Sequence, residues 1–180
     1  MPQRHRAVSS IISTVLLVAV VVVLSATISV FALDLGSNIQ SEAPYVEVSG
    51  EFVEAVDAGE QAIAITHLAG DSAQTEQLYV SGSKPLDIGG RPNSSSTPAN
   101  DAYASRREKF TEASGSNPPQ VGIGATWDAG ETIYVDPEGT ADGVTVSIYW
   151  TSVSVEGVNP GEPEGDTTYK LTTVEMGSTS

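Results

Sequence analysis

Few side chains in this sequence could carry chemistry. Of the two histidines, His5 sits among the first residues, which leaves His67 as the catalytic suspect. Asp71 follows it within "THLAGD", close enough for a carboxylate to orient an imidazole. Nothing completes such a device: there is no cysteine, no G-x-S-x-G and no second histidine in the body of the chain. Disulfides, thiol nucleophiles and thiolate metal sites are excluded. His67 therefore reads as a structural residue near a turn, and no catalytic residue is assigned. Carboxylates crowd into "DPEGTADG" (136–143) and "NPGEPEGD" (159–166). A calcium loop needs D-x-[DN]-x-[DN]-G with a distal Glu, and neither stretch has it. Both read as acidic hairpin turns, with no metal site. "GIG" (122–124) lacks the third glycine and the following helix of a dinucleotide loop, so no cofactor is expected. Trp127 and Trp150 fall in strand patterns and read as core. One sequon, Asn93-Ser94-Ser95, is a glycosylation candidate.

A different chemistry, cleavage of the chain itself, is suggested by "RHRAVSSIISTVLLVAVVVVLSATISVFALDLG". No charge occurs from Ala7 through Leu33, between Arg6 and Asp34. A helix of that span is about 40 Å long, more than the ~30 Å hydrocarbon core of a bilayer. A secretory signal has a shorter apolar core, roughly 7–15 residues, with its small-residue cleavage site after it. Here Arg6 and Ala7 precede the apolar run, so a peptidase cutting at that junction would remove the leader and keep the helix. Arginines before the run and acids after it place the N-terminus inside and the larger domain outside. Five hydroxyl residues, Ser13, Thr14, Ser25, Thr27 and Ser29, interrupt the run. Ser25 and Ser29 form a small-xxx-small pair of the kind that lets helices approach closely in lipid.

Arg6-Ala7-Val8-Ser9-Ser10-Ile11-Ile12-Ser13 resembles the R-A-V-S-P-V-I-G motif of archaeal type IV pilins, in particular the haloarchaeal kind. Ser10 stands where proline is usual and Ser13 where glycine is usual. The resemblance implies a class III signal peptide, residues 1–7, cut by a prepilin peptidase after Ala7 to leave Val8 first; cleavage after Arg6 is the alternative register. It also implies a filament-core helix over 8–36, a membrane location before assembly, and a cell-surface pilus afterwards. Its partners would be other pilin subunits and the pilus assembly platform, and its use adhesion or surface attachment. "ITHLAGDSAQTEQLYVSG" (65–82) and "WDAGETIYV" with "DGVTVSIYW" (127–150) are similar to strand-turn-strand blocks of haloarchaeal pilin heads.

These residues must be positioned by a domain over 37–180, after Gly36 caps the helix. With 8 Lys+Arg against 23 Asp+Glu in 180 residues, the formal charge is -15. That argues against nucleic-acid binding, which needs a basic surface, and suits concentrated salt, where repulsion is screened. β-formers recur between turn residues at 45–56, 61–71, 76–82 and 125–137, with a bend expected at Gly50. The clearest alternation is 144–153: Val144, Val146, Ile148 and Trp150 face one way, and Thr145, Ser147, Tyr149 and Thr151 the other. The expected fold is mainly β: a long N-terminal hydrophobic α-helix, then a small antiparallel β-sandwich or barrel. Residues 84–120 read as a long, variable, exposed loop, with a short helix over 101–113 capped by Asp101. The alternative overall reading is an uncleaved, single-pass anchored β-domain that binds a solute or a surface partner.

Overall fold

The structure is a computed structural model that describes residues 4–37, 42–57, 59–113, 117–155 and 168–177, with side chains of the N-terminal helix described over 11–29. The chain divides into two compact units, Met1–Ser41 and Glu42–Ser180.

The described residues of the first unit form a helix, α1, Arg4–Ser37. No proline or glycine breaks the sequence between Arg4 and Leu35, so the ladder of backbone hydrogen bonds runs unbroken. The helix continues through Gly36 to Ser37, so Gly36 lies inside the last turn rather than beyond it. Arg6, Ala7 and Val8 belong to its opening turns.

Among its described residues the second unit holds ten strands: β1 Val46–Glu54, β2 Gln61–Gly70, β3 Ala73–Gln74, β4 Leu78–Gly82, β5 Leu86–Gly89, β6 Glu108–Lys109, β7 Thr126–Trp127, β8 Thr132–Pro137, β9 Thr145–Thr151 and β10 Thr168–Glu175. One antiparallel sheet runs β1-β2-β8-β5, a second β10-β9-β4-β6, and β3 and β7 form a two-stranded ribbon. A single apolar cluster joins the two larger sheets. Ile63, Ile65, Leu86, Ile88, Ile133 and Val135 come from one; Leu78, Val80, Val146, Ile148, Trp150 and Val174 come from the other. This is the expected antiparallel sandwich. In β9, Val146, Ile148 and Trp150 are buried while Thr145, Ser147 and Tyr149 are half-buried, the pattern of a strand with one face on the core; Thr151, expected on the outer face, is buried. Tyr149 stacks on its cross-strand partner Tyr79, with centroids 4.9 Å apart.

Three expectations change. Gly50 marks a close approach, not a bend: a Cβ there would lie 2.3 Å from Cγ1 of Val174 on β10. The irregularity in β1 falls instead between Glu47 and Val48. The segment 136–143 is not a hairpin turn. It links β8 to β9, which lie in different sheets, because β8 pairs with β2 and β5 while β9 pairs with β10 and β4. Residues 84–120 are not simply an exposed loop, since they supply β5, β6 and the fully buried Ala99 and Phe110. Over 101–113 there is only a 3-10 turn, Asp101–Tyr103, capped by Asn100, whose side chain accepts from Ala102 N. "EKF" extends after it, because Phe110 is drawn against Trp127 with ring centroids 5.3 Å apart. The second acidic stretch, 159–166, lies outside the described residues.

Candidate functional site

The first candidate is α1 itself. Ile11–Ser29 has a mean hydropathy of 2.8, and the helix is long and apolar enough to cross a membrane by length and composition. All its described side chains are exposed, and each of its large aliphatic residues by more than half. Apolar or hydroxyl residues occupy every position from Ile11 to Ser29, so no polar face opposes an apolar one. A helix apolar all round suits hydrocarbon or a core of other helices. The hydroxyls fit that surface because their donors stay within the helix. Thr14 Oγ1 donates to Ile11 O (2.9 Å), Thr27 Oγ1 to Leu24 O (2.8 Å) and Ser29 Oγ to Ser25 O (2.8 Å). Ser25 Oγ donates to Val21 O at 2.7 Å. These four hydroxyls are thus satisfied without water, as lipid or a helix bundle requires. Ser25 and Ser29 remain small and on one face, one turn apart.

His67 and Asp71 are not brought together by a hydrogen bond. Asp71 Oδ2 accepts from Tyr45 N (3.0 Å), and Asp71 N donates to Tyr45 O (2.7 Å), clamping the chain before β1 to the end of β2. His67 is buried on β2. Its Nε2 donates to Ala69 O (3.1 Å), its ring lies 5.0 Å from Trp127, and its Nδ1 has no hydrogen-bond partner. The two tryptophans are core residues with satisfied indoles: Trp127 Nε1 donates to Glu131 O (3.3 Å) and Trp150 Nε1 to Gln77 Oε1 (3.0 Å).

Asn93 is exposed at a turn with φ 61°, a left-handed conformation that asparagine tolerates better than most residues. Ser94 N donates to Arg91 O (3.2 Å), and Ser95, the hydroxyl residue of the sequon, is also exposed.

Sequence reasoning missed a set of carboxylates. Asp87 on β5 and Asp136 on β8 are cross-strand partners. They are 2% and 0% exposed, although acids are seldom buried. Each has one oxygen committed to the crossing segment: Asp87 Oδ2 accepts from Asn100 N (2.8 Å) and Asp136 Oδ2 from Asp101 N (3.3 Å). The other oxygen of each, Oδ1, is buried without a hydrogen-bond partner. Burial pushes Asp87 up to about 7, with the charges of Glu112 and Asp136 adding and the Asn100 N–H opposing. Burial, with the charges of Asp101, Glu60 and Asp57, raises Asp136 to about 6. Asp87, Glu108 and Glu112 each bring one carboxylate oxygen within 4.8 Å of the others, and so do Asp57, Glu60 and Asp101. The only hint in the sequence is an acid inside a β-former run, "LDI" at 86–88 and "YVDP" at 134–137.

No curated protein matches the chain. A family model described as archaeal type IV pilin, N-terminal, matches residues 6–48. That stretch begins at Arg6, contains the whole apolar run and ends in the first residues of β1. Over those residues the chain is similar to the N-terminal region of archaeal type IV pilins.

Proposed function

We propose that this chain is the precursor of a structural subunit of an archaeal cell-surface filament. A prepilin peptidase trims it after Ala7, with the bond after Arg6 as the alternative, and Val8 becomes the first residue. Before assembly α1 lies in the membrane, with the acidic head outside. An assembly platform then draws the helices of many subunits into a common core, and the heads face outward to serve adhesion or surface attachment. The observation that carries this reading is the pilin match over 6–48 on a helix whose described side chains, Ile11–Ser29, are all exposed. Such a surface left in water is costly, at about 25 cal/mol per Å² of apolar area. In the membrane, lipid covers it; in a filament, neighbouring helices would. The self-bonded hydroxyls suit both surroundings, which explains why one segment can serve as anchor and as assembly surface.

The test is the N-terminal sequence of the protein recovered from sheared surface material and, separately, from membranes. A chain beginning at Val8 in the sheared fraction is the expected result. A chain beginning at Met1 or Pro2 and confined to membranes would overturn the filament reading. It would favour an uncleaved, anchored β-domain, to which the departures at Ser10 and Ser13 point.

A further inference from the structure

A cavity of about 930 Å³ opens in the head. Small-molecule pockets fall between roughly 300 and 1,000 Å³, so this one is large enough to take a ligand. Stretches far apart in sequence wall it: 74–76, 95–97, 117–120 and 122–125, with Thr111 beside them. The walls are tied together. Thr75 N donates to Ala125 O (2.9 Å) and Thr75 Oγ1 to Gly124 O (3.2 Å), while Gly90 N donates to Thr97 O (2.8 Å). A Cβ at Gly90 would collide with Ser96 Oγ and lie 3.0 Å from Gln120 O, so a glycine is what lets those two walls meet. Further along, Val121 and Ile123 are buried while Gly122 and Gly124 are exposed. That alternation sets two glycines on the cavity wall, where no side chain covers their backbone. The "GIG" of 122–124 is thus part of a preformed cavity, although it is no dinucleotide loop.

The lining is polar and almost uncharged, in a chain of formal charge -15. Among the described residues that form it, Glu76 alone is ionisable. With no Lys, Arg or His the wall cannot balance an anion, and one carboxylate does not make a cation cage. Five Ser or Thr hydroxyls and three Asn or Gln amides supply groups that both donate and accept. Among the described residues, the side chains of Ser95, Thr97, Thr111 and Gln120 have no protein hydrogen-bond partner, which leaves them to a ligand. Pro118 and Pro119 add apolar ring surface. We propose that this cavity binds a neutral saccharide. Each sugar hydroxyl donates and accepts at once, as these walls do, and the C–H face of a sugar ring fits against proline. An acidic sugar would meet Glu76 and no base. A peptide is held by a sheet edge or by a row of apolar pockets, and Ile123 is the one large aliphatic side chain in the wall. The saccharide has two sources: another molecule, or a glycan on Asn93, since Ser95 belongs both to the sequon and to the wall. The inference concerns the head alone and is independent of the filament reading.

The test is isothermal titration calorimetry on the full chain from its native cells, in a detergent without a sugar headgroup. Maltotriose, mannotriose and galactotriose are the neutral probes; trigalacturonic acid and hexaglycine are the comparisons. At least one neutral probe is expected to bind saturably, with the acid and the peptide at least tenfold weaker. Gly124→Leu is expected to weaken that binding at least tenfold. A Cβ at Gly124 meets no atom within 4 Å and its backbone is not left-handed, so the larger side chain takes up space at the wall without straining the fold. Tryptophan fluorescence of Trp127 and Trp150 checks that the variant is folded. If it is not, Gln120→Ala, at a half-buried wall position, takes its place with a loss in the same direction. Equal binding by wild type and Asn93→Gln is expected and assigns the saccharide to another molecule. Binding by Asn93→Gln alone keeps the chemistry and assigns the cavity to the chain's own glycan. No saturable binding of any neutral probe by Asn93→Gln would overturn the proposal. So would binding that Gly124→Leu and Gln120→Ala both leave intact, or equal binding of the acid or of hexaglycine.

Discussion

Substituting Gly50 by alanine tests the contact between β1 of one sheet and β10 of the other. A Cβ at this position would meet Val174 Cγ1 at 2.3 Å, Met176 Sδ at 3.1 Å and Val174 Cβ at 3.7 Å. Carbon atoms in good contact sit about 3.5–4.0 Å apart, so Val174 and β1 must separate by roughly 1.2 Å or more. Val174 has little freedom to give way: it is β-branched, buried, and paired with Val146 across β10 and β9. Overpacking of this kind costs about 1–3 kcal/mol. Removing a strand glycine returns about 0.5–1 kcal/mol of backbone entropy, leaving a net loss centred on about 1 kcal/mol. Val174→Ala alone deletes two methyl groups, a loss of about 1.6 kcal/mol at ~0.8 kcal/mol each. In the double variant the new Cβ of residue 50 occupies the space vacated at 174. The double variant is therefore expected to be no less stable than Val174→Ala alone, with a coupling of about 1–2 kcal/mol. The assay is urea unfolding of the full chain in detergent, followed by tryptophan fluorescence, since Trp127 and Trp150 are both buried in the head. A Gly50→Ala variant within about 0.3 kcal/mol of wild type, or strict additivity in the double variant, would refute the close approach.

Phe110→Ala is expected to cost about 3–5 kcal/mol in the same assay, because Phe110 is fully buried against Trp127; an unchanged midpoint would return residues 84–120 to the status of a loose insertion. Asp128 is held below its ordinary carboxylate range first by the Ser72 hydroxyl and then by the Thr126 hydroxyl at 2.8 Å. Its folded value is lowered, so the advantage of wild type over Asp128→Asn should be full above the ordinary 3.8 and shrink as pH falls through the folded value below it. Stability curves of the two proteins taken from neutral pH downward check this, and an advantage that grows on acidification contradicts it. The sequon predicts that Asn93→Gln lowers the mass of the native protein by one glycan and leaves its unfolding midpoint unchanged, because Asn93 is exposed; identical native masses would show the site to be unused.

What could be read in the sequence was whatever local period encodes. The apolar run of α1 and the alternation of β9 are properties of consecutive residues, and the structure reproduces both. Pairing is not local. β8 and β9 looked like neighbours across a turn because they are near in sequence, yet β8 pairs with β2 and β5 in the opposite sheet. β5 and β6 were hidden because "LDIG" and "EK" carry acids at buried positions, which a hydropathy pattern counts as surface. β10 went unseen for a related reason: "TYKLTTVE" is mostly half-buried or exposed, so its apolar face is too sparse to show a period. The asparagine that caps the 3-10 turn stands one residue before the expected Asp101, whose carboxylate instead accepts from Gly139 N at 3.2 Å.

The same blindness to pairing explains why the buried acids matter. With no cysteine anywhere in the chain, the head has no covalent brace. The segment after β5 must be held by what lies beneath it, and what lies there is carboxylate: Asp87 grips Asn100 N, Asp136 grips Asp101 N, and Asp101 grips Gly139 N. Each grip fixes a backbone donor that would otherwise be left without a partner, which is a reason to keep an acid in an apolar setting. One donor per carboxylate leaves the second oxygen of Asp87 and of Asp136 desolvated and unmatched. Burial raises Asp87 to about 7 and Asp136 to about 6, so near neutral pH a proton neutralises part of the unmatched charge.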